Sequence, residues 1–207
     1  MDLDEFLHIF VPLFSVIDPF AALPLYLSFT TGLRKEEKIR IVKESTITAV
    51  SLLLFFQFTG IYILDFFGIS IAALMIAGGV LMILVGLEMV REGDKPRSTR
   101  KKEKIREESG DIAIVPLGTP MLAGPGAISL SIILMGKYGN EPVGVLAIAI
   151  SIIAVIGLTA LLFVGGNYIS KIMGEKGSRA FTRVMGLLVT AFAVQYILDG
   201  ISLYFGL

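Results

Sequence analysis

The sequence predicts an all-α membrane protein. Six transmembrane helices are expected as two inverted three-helix repeats, with spans 1 and 4 discontinuous. Three observations carry that expectation. The 207-residue chain is 55% hydrophobic and only 17% charged, with a mean hydropathy of +0.81, whereas soluble domains carry about 25% charged residues. Six apolar stretches are separated by loops in which Lys and Arg cluster on alternate turns. Three prolines and three glycines fall inside residues 115–129, within the fourth stretch.

A spanning helix needs about 20 apolar residues for a hydrocarbon core ~30 Å thick. Stretches at roughly 5–31, 44–66, 69–90, 111–135, 143–164 and 183–206 meet that requirement. The acidic start, Asp2, Asp4 and Glu5, lacks the basic n-region of a cleaved signal peptide, so span 1 is expected in the mature protein. Cysteine is absent, which excludes structural disulfides and thiolate metal sites.

Basic residues set orientation, because cytoplasmic loops retain an excess of them. The loop after span 1 holds Arg34, Lys35, Lys38, Arg40 and Lys43. Residues 91–110 carry Arg91, Lys95, Arg97, Arg100, Lys101, Lys102, Lys104 and Arg106, and the loop before span 6 has Lys171, Lys176, Arg179 and Arg183. Lys137 alone lies on the opposite side. The expected topology is multi-pass in the cell (plasma or inner) membrane, with both termini outside. Glu92, Asp94, Glu103, Glu107 and Glu108 offset the basic run at 91–110. That segment reads as an orientation-setting linker, not a nucleic-acid surface. The expected units are a first repeat at 1–90, the linker at 91–110 and a second repeat at 111–207.

The two halves share a motif. Span 1 contains Val11-Pro12-Leu13 followed by Asp18-Pro19, and span 4 contains Val115-Pro116-Leu117 followed by Gly124-Pro125. Six of the eight prolines lie in these two segments. An odd number of spans per half makes the second half cross in the opposite sense. Inverted repeats with interrupted helices at corresponding positions point to a transporter's binding site near the midplane.

Proline removes a backbone donor and clashes with the preceding turn. In hydrocarbon, the freed groups persist only where protein buries them or a watery cavity meets them. Asp18 has two compatible readings: N-cap of a half-helix opening at Pro19, or a coupling-ion ligand for a proton or sodium. Pro125 opens a second half-helix through Ala127, Ile128 and Ser129. Both half-helices would direct N–H groups and positive dipole ends to the midplane, while the preceding segments end there in carbonyls. A compact zwitterion needs both. Ser15, Asp18, Pro19, Phe20, Ala21, Thr119, Ala123, Gly124, Pro125, Gly126, Ala127 and Ser129 are the candidate substrate-binding residues. Their small walls favour a small neutral amino acid.

The remaining polar residues are expected to be structural. Gln57 and Gln195 suit bonds between helices. Ala73, Ala77, Gly78, Gly79 and Gly86 give span 3 a close-packing face. Tyr62, Tyr138, Tyr168 and Tyr204 suit interfacial anchoring. Enzymatic chemistry is not expected, since no paired acids, partnered serine or metal cluster stands out. No cofactor or metal is expected.

The runs Asp18-Pro-Phe-Ala-Ala-Leu-Pro24, Ser28-Phe-Thr30 and Pro116-Leu-Gly-Thr-Pro-Met-Leu-Ala-Gly-Pro-Gly-Ala-Ile-Ser129 resemble the MarC family, whose members include the SnatA small neutral amino acid transporters. The resemblance covers essentially the whole chain. It implies six spans and transport of glycine, alanine or similar substrates, with direction left open. A passive channel or an exporter for other small solutes is the alternative.

Overall fold

A computed structural model describes residues 3–30, 33–92, 118 and 122–206. The helices are α1 (Leu3–Ile17), α2 (Pro19–Phe29), α3 (Lys35–Phe66), α4 (Ile71–Glu92), α5 (Pro125–Tyr138), α6 (Pro142–Val164) and α7 (Gly166–Phe205). No strand occurs among the described residues. Five stretches are long and apolar enough to cross a membrane: Asp4–Leu23, Lys35–Phe66, Ile71–Arg91, Pro142–Val164 and Arg179–Phe205. They overlap expected spans 1, 2, 3, 5 and 6. Only the second part of expected span 4 is described, where α5 runs for 14 residues. The linker beyond Glu92 lies outside the described residues.

Two helices overrun their expected ends on the basic side. α3 begins at Lys35 because its charged lead-in sustains a helix. Arg34 N–H donates to Glu37 Oε2 at 2.8 Å, and Arg40 Nε donates to Glu44 Oε1 at 2.7 Å. α7 begins at Gly166, and Gly174 (φ 60°, ψ 172°) interrupts it before the apolar part.

The turn between α3 and α4 is closed by glycine. Gly68 has φ 67°; its N–H donates to Asp65 O at 3.0 Å, and that of Ile69 donates to Leu64 O at 2.9 Å. These two bonds occupy carbonyls that the helix end would otherwise leave open. Ser70 Oγ then accepts the Ala73 N–H at 3.1 Å and starts α4. Nothing stands within 4 Å of a Cβ added to Gly68. Gly68→Ala should therefore cost only the left-handed backbone, about 1 kcal/mol, read as a lower unfolding midpoint in detergent.

Lipid tails solvate apolar faces as well as other helices do, so contacts in a bilayer rest on close packing. α4 and α7 run antiparallel in such a contact, through small residues every seven positions. Ala72, Gly79 and Gly86 face Gly200, Ala193 and Gly186, respectively. A Cβ on Gly79 would stand 2.7 Å from Ala193 O, one on Gly86 2.8 Å from Gly186 O, and one on Gly200 2.9 Å from Ala72 O. The expected face needs one correction. Ala73 and Ala77 are exposed, and Ala72 takes the interface position, because the seven-residue repeat passes through 72 and not 73. Gly78 turns instead to α5, where a Cβ would meet Ser129 Cβ at 3.1 Å.

Gln57 is fully buried and links helices as expected, its Nε2 donating to Val145 O of α6 at 3.0 Å. Gln195 does not. Its Nε2 donates to Asp199 Oδ1 at 2.7 Å, one turn along α7. The link from α7 to α5 is made by Asp199 Oδ2, 3.7 Å from Lys137 Nζ. α5 occupies the centre of the bundle: residues 129–134 are all buried, as expected of a helix surrounded by others. It packs on α1, α3, α4 and α6, while α2 packs on α6 and α7.

Candidate functional site

Asp18 stands between α1 and α2 with φ 40° and ψ 76°. This left-handed conformation is uncommon outside glycine, and Asp and Asn tolerate it better than most residues. The ladder runs through it: Asp18 N–H donates to Phe14 O at 3.0 Å, and Asp18 O accepts from Ala22 N–H at 3.1 Å. What changes is at Pro19, which has no N–H, so the Ser15 carbonyl loses its usual donor. Asp18 Oδ1 accepts the Ala21 N–H at 3.2 Å, capping α2 with Pro19 in its first turn. The Asp18 residue is 4% exposed, a burial that is costly for a carboxylate.

The start of α5 is built differently. Ala123 N–H donates to Gly118 O at 3.1 Å, a turn wider than an α-helical one. Gly124 follows in extended conformation (φ −78°, ψ 170°), and Pro125 opens the helix. Gly124 has no side chain, so no side-chain cap closes this end. Gly124 is half-buried and Pro125 exposed, while Ala123, Gly126 and Ala127 are buried.

The start of α5 lies against the last turn of α1, just before the Asp18-Pro19 break. A Cβ on Gly126 would stand 3.3 Å from Val16 Cγ1, 3.8 Å from Met82 Cγ and 4.0 Å from Val85 Cγ2. Gly126 thus lets α5 abut the last turn of α1 and the middle of α4, and the room it leaves is taken largely by Val16. Ala21 and Gly124 are half-buried, and Pro125 is exposed at the edge.

The structure therefore gathers Asp18, Pro19, Phe20 and Ala21 on one element and Ala123, Gly124, Pro125, Gly126 and Ala127 on another. Ser129 sits one turn further along α5, buried against Gly78. Ser15 is near the break, but its hydroxyl donates to Val11 O at 2.8 Å within its own helix. Thr119 lies outside the described residues. Chemically, one helix start presents a carboxylate and the other presents backbone donors without a side-chain cap.

Sequence reasoning missed two kinds of neighbour. Val16, Met82 and Val85 are ordinary apolar residues, with no local signal of their proximity to Gly126. Phe181, from the start of the apolar part of α7, places its ring 4.3 Å from that of Phe20. The Phe14 ring lies 6.3 Å from that of Phe20, edge to face. Tyr26 stacks on Phe163 at 4.4 Å and fixes α2 against α6.

Residues 3–205 match the family described as MarC family integral membrane protein. A UPF0056 membrane protein of Methanocaldococcus jannaschii is 39% identical over 204 residues, covering 97% of this chain and 98% of the relative. One from Archaeoglobus fulgidus is 30% identical, covering 97% and 93%. The UPF0056 membrane protein YvbG of Bacillus subtilis is 32% identical, covering 94% and 93%. No solved structure matches the chain.

Proposed function

Because the chain belongs to the MarC family of integral membrane proteins, we propose that it is a secondary transporter of small neutral amino acids. Glycine, alanine and serine are the substrates, held between the starts of α2 and α5 and exposed to each side in turn. The carrying observation is the contact of Gly126, at the start of α5, with Val16, two residues before the Asp18-Pro19 break. The uncapped N–H groups of α5, at the positive end of its dipole, suit a carboxylate. The Asp18 side and the Ser15 carbonyl suit an ammonium group. Alanine and glycine walls leave room for a hydrogen or methyl side chain and supply no partner for a charged one.

Alternating access calls for two halves that exchange roles, and the packing supports an inverted repeat with discontinuous spans 1 and 4. α1 and α2 pack on α6 and α7, as α5 packs on α3 and α4. Across α4 and α7, Ala72 meets Gly200, Gly79 meets Ala193 and Gly86 meets Gly186. A single offset of 114 residues relates 72, 79 and 86 to 186, 193 and 200. Swapping the halves therefore returns the same contact, as a two-fold relation requires. The basic loops favour the cell membrane with both termini outside. Coupling to a proton or sodium is assigned to Asp18.

A passive channel could use the same interrupted helices. Countertransport separates the two. Proteoliposomes preloaded with alanine should take up labelled alanine faster than empty ones, with saturation. Linear, non-saturating uptake that ignores internal alanine would replace the carrier with a channel.

A further inference from the structure

We infer that Phe20 and Phe181 form an aromatic barrier that closes the proposed site on the side of the basic loops; this rests on the transporter reading above. Phe20 is the second residue of α2, immediately after the Asp18-Pro19 break. The centroid of its half-buried ring lies 4.3 Å from that of Phe181 and 6.3 Å from that of Phe14.

The register of α4 and α7 gives the depth of that contact. Gly86 faces Gly186, and the helices run antiparallel, so Phe181 is level with Arg91. Val85, which borders Gly126, is six residues from Arg91, or ~9 Å along a helix. Phe181 therefore lies ~9 Å, and Phe20, four residues after Val16, ~6 Å from the level of Gly126, toward the side marked by Arg91, Arg179 and Arg183. Two rings in contact exclude water and a zwitterion, as hydrophobic constrictions do in channels. A single aromatic contact is also weak enough to part during turnover. Aligning Asp18-Pro19 with Gly124-Pro125 puts Gly126 at the place of Phe20. The second half has no ring there, so the barrier is one-sided.

The chain has no cysteine, so Val16→Cys adds a lone thiol beside Gly126, beyond the barrier. Vesicles of both orientations carrying the full-length V16C protein would be treated with a charged, membrane-impermeant methanethiosulfonate. Adding Phe181→Ala should speed labelling from the basic side roughly tenfold, the scale of one aromatic pair. Labelling from the other side should be unchanged, and Phe181→Leu should stay near the parent rate. Phe20→Ala opens the same contact from α2, so loss of one variant to misfolding leaves the other. Unchanged labelling in the alanine variants, or equal acceleration from both sides, would overturn the barrier. Labelling needs no substrate. Faster labelling in a protein that binds no amino acid would sink the transport reading alone, and the reverse would sink the barrier alone.

Discussion

Gly86→Leu should abolish recovery of folded protein, the largest effect expected from a single substitution in this bundle. An added Cβ there already meets Gly186 O at 2.8 Å, and lies closer still to Thr190 Oγ1. The carbonyl is backbone in the facing helix, so it cannot swing aside. Thr190 is tied down as well, its hydroxyl donating to Gly186 O at 2.8 Å. Relief requires separating α4 from α7, which opens the neighbouring contacts at Gly79 and Gly200 too. Overpacking usually costs about 1–3 kcal/mol; spread along a whole helix pair it should exceed ~4 kcal/mol, the range of diagnostic single substitutions. Gly157→Leu on α6 is the control, since nothing lies within 4 Å of its added Cβ. Its denaturation midpoint should stay close to the parent value. Equal tolerance of both leucines would show that the α4–α7 seam does not hold the bundle together.

Asp18→Ala should cut alanine exchange by roughly tenfold or more, as expected where a group that positions reactants is displaced. The substitution removes the Oδ1 bond to Ala21 N–H and leaves a residue with a Cβ at φ 40°. Loss of the cap costs about 0.5–2 kcal/mol, and the poorer tolerance of alanine than aspartate for the left-handed region adds to it. Asp18→Asn separates geometry from charge, because Asn retains an accepting Oδ1 and tolerates the left-handed region. This variant should keep its stability and its exchange while losing any pH dependence or gradient-driven accumulation that the carboxyl supplies. pH-dependent uptake unchanged in Asp18→Asn would confine Asp18 to the role of a cap.

The helix starts at Pro19 and Pro125 were legible in the sequence because proline acts through covalent geometry within one or two residues. The same holds for the Asp18 cap and for most helix limits, which follow runs of apolar residues. What spans long separations was not legible. The phase of the α4 small-residue face depended on its partner: Ala72 and Ala73 are chemically identical, and only the seven-residue spacing shared with α7 selects the first. Gln195 and Gln57 have the same side chain, yet Asp199 one turn away captures Gln195 while Gln57 meets a carbonyl of α6. The room at Gly126 was read as ligand space, and Val16, more than a hundred positions earlier, fills most of it. No local pattern announces that kind of contact. Phe20 and Phe181 pair for the same reason, through a fold that brings α2 to α7.

The most direct test of a small-amino-acid site is a thermal-shift screen of the purified protein with single amino acids. A ligand at about 100 times its Kd stabilises by ~2.7 kcal/mol, which for a chain of this size is a shift of several degrees. Glycine, alanine and serine should each raise the unfolding temperature by that amount, while leucine, glutamate and lysine leave it unchanged. No shift with any of the first three, or an equal shift with lysine and glutamate, would contradict a site built from the starts of α2 and α5 to hold a small neutral zwitterion.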